Sequence, residues 1–390
     1  MITLRIASIE SFRVLAIFAV ILWHTSTFVP NLSRFAEGHL PVILAELVVV
    51  TGYLLWWVGV PYFLITAGYF FRKSLLRNED LIAQFRRYVS PLGWMLFVWL
   101  CIYMVVPSNW PAEVLSHGWW QPFYLAAQKN VHLLADKHIS LFLEGGRPVW
   151  HLWFLPALIV SLAVLTLVAI CKLQKYLVHL IVALYVLILA EEFIGGDPFN
   201  STIYLGRWMQ AILLTTIGWW FAEREQPSMA MAWGLIVGGY VLAVIEGTIM
   251  MAMFHGSHQA IQQHAFLGGI ALGLGLFLLA LAKPTLGQST PLPFLARFTL
   301  GVYVSHILVM YTLRPILWPK LGSWPLREVL GALVVYAVSV LVTLGVGKVP
   351  IARYLVMKPV RKQPRAVRQL TGKKLQIRID GGDGIPPHAA

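Results

Sequence analysis

Ten apolar runs, each of roughly 20 residues, follow one another along this 390-residue chain. They fall near residues 9–29, 43–70, 90–106, 150–170, 176–190, 203–222, 229–253, 264–282, 298–317 and 326–347. Wound into an α-helix, such a run crosses the roughly 30 Å of a bilayer's hydrocarbon core. A chain that is 58% hydrophobic and 12% charged carries more apolar surface than a soluble domain can bury. The expected fold is therefore all-α, a polytopic integral membrane protein of about ten transmembrane helices. Residues 1–350 are expected to form one membrane-embedded domain and 351–390 a basic cytoplasmic tail, partly disordered where Gly and Pro crowd its last dozen residues. The first run carries Glu10, Arg13 and His24 and has no small-residue cleavage site, so it is expected to stay as a helix and not to be removed as a signal peptide.

An even number of crossings puts both termini on one side. With the N-terminus inside, twenty-one of the thirty Lys and Arg residues face the cytoplasm and eight face outward, with Arg13 in the first span. Ten of the twenty-one lie between Lys348 and Arg378; without them the bias falls to eleven against eight. It still predicts N-in and C-in. The net charge of +13 then belongs to a basic tail at an anionic membrane surface, so membrane lipids are the expected partner and nucleic acid is not. Cys101 and Cys171 show no metal or redox spacing and read as packing residues, and no metal site is expected.

An ionisable side chain at the centre of a span costs roughly 2.5 to 3.5 kcal/mol on insertion scales, so each such residue needs a partner, a wet cavity or a task. Arg13 and His24 stand eleven residues apart, about 1100° of helical turn or three turns and about 20°, and so share one face. Glu10, one turn before Arg13, lies on the same side and would orient it. The rise between Arg13 and His24, about 16 Å, puts Arg13 toward the cytoplasmic interface and His24 beyond the midplane. Two readings stand here: a structural one, with Arg13 paired to Glu10 and His24 bonded to a neighbouring helix, and a functional one. In the functional reading Arg13 holds an anionic group entering from the cytoplasm while His24 exchanges a proton.

Other spans carry further polar groups. His306, beside Ser305 about eight residues into the ninth span, is equally a structural or a catalytic histidine. Glu246 in the seventh span is a candidate counter-ion for a histidine or an arginine; Arg207 and Glu46 sit nearer helix ends, where long side chains snorkel cheaply. Between the second and third spans Arg72, Lys73, Arg77, Arg86 and Arg87 form a basic cluster, either the ordinary inside charge that orients helices or a cradle for phosphates. Gly268, Gly269, Gly273 and Gly275 in the eighth span read as a close-packing stripe. The one long outer segment, Pro107 to Arg147, is rich in aromatics and His, among them Trp110, Trp119, Trp120, Phe123, Tyr124, His132 and His138. These make either an interfacial belt or a lid that stacks on a sugar.

The first span, Ile9-Glu10-Ser11-Phe12-Arg13 through Trp23-His24, resembles the opening of the membrane-bound acyltransferase family three, whose hallmark is an Arg and a His separated by ten residues. Four more segments follow in the family's order: Val60 to Tyr69, with Ala67 where a serine is usual; Arg86-Arg87-Tyr88 before Pro91; Trp150-His151-Leu152-Trp153-Phe154-Leu155; and Leu300 to His306. The likeness covers roughly residues 5 to 350. It implies an O-acyltransferase of the bacterial inner membrane that moves an acyl group, commonly acetyl from acyl-CoA, to a hydroxyl of a surface or periplasmic saccharide or lipid-linked glycan. No permanently bound cofactor is implied, since acyl-CoA is the donor substrate. Nothing globular follows Gly347, so the family variant with a fused esterase-like domain is not expected.

In the scheme this implies, Arg13, Arg86 and Arg87, with Arg72 in the same cluster, neutralise the phosphates of CoA. His24, with Glu10 and His306 as companions, then handles the proton of the attacking hydroxyl. His24 either takes that proton for direct attack on the thioester or is itself acylated first. The competing class is a proton-coupled transporter or glycan exporter using His24, Glu246 and His306 as a relay, against which stands the lack of repeated halves or paired broken helices.

Overall fold

The computed structural model describes residues 6–25, 42–77, 80–107, 110–137, 150–194, 205–224, 227–253, 267–321 and 326–349. The basic tail 351–390, Arg5, Arg34, His138, Arg147 and the side chain of Glu46 lie outside the described residues. Residues 1–357 form one compact unit.

Every described element is helical, as hydrocarbon demands of a backbone that must satisfy its own N–H and C=O groups. In chain order the helices are α1 (Ala7–His24), α2 (Val42–Leu75), α3 (Leu81–Val105), α4 (Trp110–His117), α5 (Gln121–Lys137), α6 (Phe154–Ile170), α7 (Leu177–Ile194), α8 (Leu205–Phe221), α9 (Met229–Met253), α10 (Leu267–Ala282), α11 (Thr299–Leu317) and α12 (Leu326–Lys348). Each of the ten apolar runs falls on one of them. Six stretches of the described chain are long and apolar enough to cross a membrane; they contain α1, α3, α6, α9, α11 and α12. The outward surface agrees: α9 exposes Val237, Val241, Ile245 and Ile249, one residue every four, as a helix turned toward acyl chains requires. Cys101 and Cys171 are free and face outward, so they are not core packing residues.

One boundary differs from expectation. The third run was placed from residue 90, with Ser90 and Pro91 opening it, but α3 starts at Leu81 because Asp80 caps it, its side chain accepting from Ala83 N at 2.8 Å. Pro91 thus lies inside the helix. The polar residues Gln84, Arg86 and Arg87 hid this first part from a hydropathy reading. Residues 110–137 of the segment expected outside are also helical: α4 and α5 pack on each other, α5 lies against α3, and α4 against α11.

Helix α1 is the hub. It packs against α2, α10, α11 and α12, burying Ile9, Ala16, Ile17, Val20 and Ile21. Its first turn is tied to the end of α10 by Ser8 Oγ donating to Ala280 O at 2.5 Å and by Ser8 N donating to Pro284 O at 3.2 Å. Tyr62 of α2 donates to Ile9 O at 3.2 Å.

Small residues set the other contacts, as expected where lipid offers no hydrophobic drive to bring helices together. Gly68 of α2 lies on the Thr215 carbonyl of α8, and Gly218 of α8 lies on the Ile65 carbonyl of α2, leaving no room for a Cβ at either. Gly268 and Gly275 press on the α9 backbone and Gly273 on Pro61, so the glycines of the eighth span are packing positions. The α11–α12 hairpin is closed by the buried Glu328, which accepts from Trp318 Nε1 at 3.4 Å and from Arg327 Nε at 3.2 Å, while Gly331 lets α12 lie against the Trp318 ring.

The Gly68–Gly218 crossing sets a test of the packing. Gly68→Val should destabilise the protein by about 1–3 kcal/mol or more, seen as a lower melting temperature in nanodiscs. Gly234→Ala on the open face of α9, where nothing lies within 4 Å, should leave the melting temperature unchanged or raise it slightly.

Candidate active site

Two groups of polar side chains lie along α1, one in its second turn and one at its end. In the second turn Arg13 Nη1 meets both Glu10 oxygens, at 3.3 and 3.4 Å. The two side chains are partly exposed, 29% and 15%, so the pair offsets its own charge yet remains reachable from outside the bundle. The Phe12 ring packs on Tyr62 at 5.9 Å.

About 16 Å along the helix, His24 ends α1. Its ring stacks on that of His306 from α11, with centroids 5.2 Å apart and planes 19° apart. His24 is 8% exposed and His306 fully buried. A third histidine completes the group: His151, in the turn that leads into α6, stands edge-on to His306 at 5.6 Å. Around it Tyr103 of α3 lies T-shaped at 4.7 Å, and Tyr303 of α11 donates its hydroxyl to the His151 carbonyl. Four parts of the chain therefore converge on one buried cluster.

His306 is oriented by its own helix. Its Nδ1 lies 2.6 Å from Tyr303 O and 3.2 Å from Val302 O, and carbonyls only accept, so Nδ1 carries the hydrogen. Nε2 is left as the lone-pair nitrogen, buried and without a hydrogen-bond partner among the described residues. An imidazole held in this way is set to accept a proton at Nε2. Two stacked rings at this distance cannot both carry positive charge cheaply, so at most one of the pair is protonated at a time.

The structure thus brings His24 and His306 together and pairs Arg13 with Glu10. The basic cluster divides. Arg72 is engaged by Glu223 of the turn after α8 and lies over the Trp219 ring at 4.8 Å. Arg86 and Arg87 lie on the second turn of α3 with exposed side chains. Glu246 caps another helix: its carboxylate accepts from Leu267 N at 3.2 Å and Gly268 N at 2.9 Å at the start of α10, where a negative charge meets the positive end of the helix dipole. Arg207 lies over the Trp153 ring at 5.6 Å. In the segment of α4 and α5, Trp119 and Trp120 are 77% and 76% exposed, whereas Trp110 donates Nε1 to Thr312 Oγ1 of α11 at 2.9 Å.

His151 and Tyr103 are site residues that a span-by-span reading missed. His151 stood in the sequence only as part of an aromatic segment, and Tyr103 carried no reading of its own. The available signal was the position of His151 at the very start of an apolar run, one residue after Trp150. Among the described residues no three His, Cys, Asp or Glu side chains converge as metal ligands.

Residues 6–345 match the family model of the acyltransferase domain, acyltransferase 3 family. The chain belongs to that family and is a membrane acyltransferase. Neither the curated proteins nor the solved structures give a match.

The position of Glu246 yields a prediction. Glu246→Gln should lower the melting temperature through loss of a charged cap worth about 1 kcal/mol. Acyl transfer, measured as label passed from an acyl donor to an acceptor, should remain at the wild-type rate; a large fall would give Glu246 a part in the reaction.

Proposed function

We propose that this protein is an O-acyltransferase that takes an acetyl group from cytoplasmic acetyl-CoA and places it on a hydroxyl of a saccharide on the other face of a bacterial inner membrane. The observation that carries the reading is the buried stacked pair of His24 and His306 three turns along α1 from the Arg13–Glu10 pair, in a chain of the acyltransferase 3 family. A polyanionic donor and an outward glycan never share a compartment. A site extended along one helix, with a cation near one end and imidazoles near the other, lets both reach a common point.

In this reading all ten apolar helices cross the membrane with both termini in the cytoplasm. Lys73 lies over Tyr69, Lys175 over Tyr176, Arg224 over Trp220 and Arg297 over Phe294, at 5.6, 4.9, 4.3 and 3.8 Å, all at helix ends on the face assigned to the interior. Residues 1–350 act as the catalytic membrane domain and 351–390 as a tail on anionic lipid headgroups.

Arg13, Arg86 and Arg87 neutralise the CoA phosphates, Arg13 exchanging its Glu10 partner for the stronger anion. The pantetheine arm runs along α1 and brings the thioester to His24. His24 accepts the proton of the sugar hydroxyl as its oxygen attacks the thioester carbonyl; the C–S bond then breaks and the imidazolium returns the proton to the leaving thiolate. His306, stacked on His24, shares the transient charge. The acceptor and CoA thus exchange acyl group for hydrogen, with no net proton released.

Three variants test the assignment. His24→Ala should lower kcat by about 10²–10⁴-fold, the usual share of a general base. Arg13→Lys should raise KM for acetyl-CoA by about tenfold or more, because a point charge does not replace a planar fork on phosphate. The assay is transfer of labelled acetyl from acetyl-CoA to a periplasmic glycan fraction by purified protein in proteoliposomes. Full transfer by both His24→Ala and Arg13→Lys would remove this site from the reaction.

A further inference from the structure

In a regular α-helix the N–H of residue 308 donates to the C=O of residue 304. In α11 a side chain from another helix occupies both ends of that rung: Tyr103 Oη donates to Val304 O at 2.9 Å and accepts from Leu308 N at 3.1 Å. A group inserted into the ladder tilts the local carbonyls and bends the helix at that point. The rung at residues 304 and 308 spans His306.

Tyr103 is itself held firmly. It is 1% exposed, its ring packs on Trp99 at 5.7 Å and on His151 at 4.7 Å, and its helix continues to Val105. Just beyond, Asn130 of α5 donates to Met104 O at 2.8 Å, fastening the end of α3 to α5. The next turn of α11 is also pinned, by Thr312 donating to Leu308 O at 2.9 Å and accepting from Trp110.

The His306 ring is hydrogen-bonded to its own helix through Nδ1 and Tyr303 O, so the ring follows the α11 backbone wherever that backbone goes. Burying a tyrosine in an apolar bundle needs only one partner for its hydroxyl. Here the hydroxyl uses both its donor and its acceptor on the two groups that fix the local pitch of α11. Phenylalanine fills the same space and makes neither bond.

We infer that Tyr103 is a positioning residue of the acyl transfer: its hydroxyl, set into the α11 ladder around His306, fixes the place of the His306 ring against His24. The inference rests on the reading above in which this pair carries the proton. Without the hydroxyl, Val304 O and Leu308 N lose this shared partner, the local pitch of α11 relaxes and the ring moves with it. Displacements of this kind, up to about 1 Å, cost as much as 10²-fold in rate when they separate catalytic groups.

The test uses the full chain in proteoliposomes, with acetyl-CoA as donor and a periplasmic glycan fraction as acceptor. Tyr103→Phe should lower kcat by about 10–100-fold with KM for acetyl-CoA unchanged and the melting temperature within a few degrees of wild type. The double variant Tyr103→Phe with His306→Gln should be no slower than His306→Gln alone, because the hydroxyl acts only through that ring. A wild-type kcat in Tyr103→Phe, or losses that multiply in the double variant, overturns the inference. The ¹⁵N shifts of His306 in histidine-labelled protein give a readout independent of turnover. They should move in Tyr103→Phe, and unchanged shifts also overturn it. If the wild-type protein transfers no acetyl from acetyl-CoA, the proposed reaction falls, and the shifts alone then decide whether Tyr103 sets the ring.

Discussion

Hydrocarbon offers no hydrogen-bond partner, so every polar group carried into this bundle must be satisfied from within the chain. That constraint orders the structure from its smallest parts upward. Ser161, Thr166, Thr215, Ser305 and Thr343 each return their hydroxyl to the carbonyl four residues back. Glu246 caps a neighbouring helix, Glu328 takes Trp318 and Arg327, and Arg13 takes Glu10. The buried Nε2 of His306, like Trp219 Nε1 and Ser339 Oγ, has no hydrogen-bond partner among the described residues, and its ring is stacked on the histidine that α1 carries into the bundle.

The packing follows from the same solvent. Because acyl chains are as apolar as leucine, association rests on close fit, and helices approach where the Cβ is missing. The α2–α8 crossing at Gly68 and Gly218 and the α9–α10 seam at Gly239, Gly268 and Gly275 are of this kind. They form a rigid frame beside α1. The histidine group sits elsewhere, where α1 meets α11 and larger aromatic rings replace glycine. Two modes of packing thus divide the labour: backbone contact for the frame, ring contact for the site.

A good part of this was legible in the residues. Run length and apolar content were enough to predict an all-helical membrane protein, since the period and the solvent leave no other regular structure. Helical phase was enough to put Arg13 and His24 on one face, and the i, i+3 spacing enough to pair Glu10 with Arg13. The start of α3 was misplaced because hydropathy sees a polar first turn as a loop, although Asp80 three residues before Ala83 is a capping signal. Arg72 was grouped with Arg86 and Arg87 because sequence shows charge and not the carboxylate of Glu223, 151 residues away.

The sequence by itself determined the class of fold, the helices and the family, since each depends on composition and on spacings within one helix or one short segment. Only the tertiary structure decided the site. His24, His151 and His306 are separated by more than a hundred residues from one to the next, and no local period links them. Their meeting depends on how α1, α3, α11 and the turn before α6 cross, and crossing geometry is set by interlocking side chains on several helices at once. Tyr103 makes the point most directly: its hydroxyl lies beside Val304 and Leu308 because α3 packs there, a fact of shape that no single segment of the chain contains.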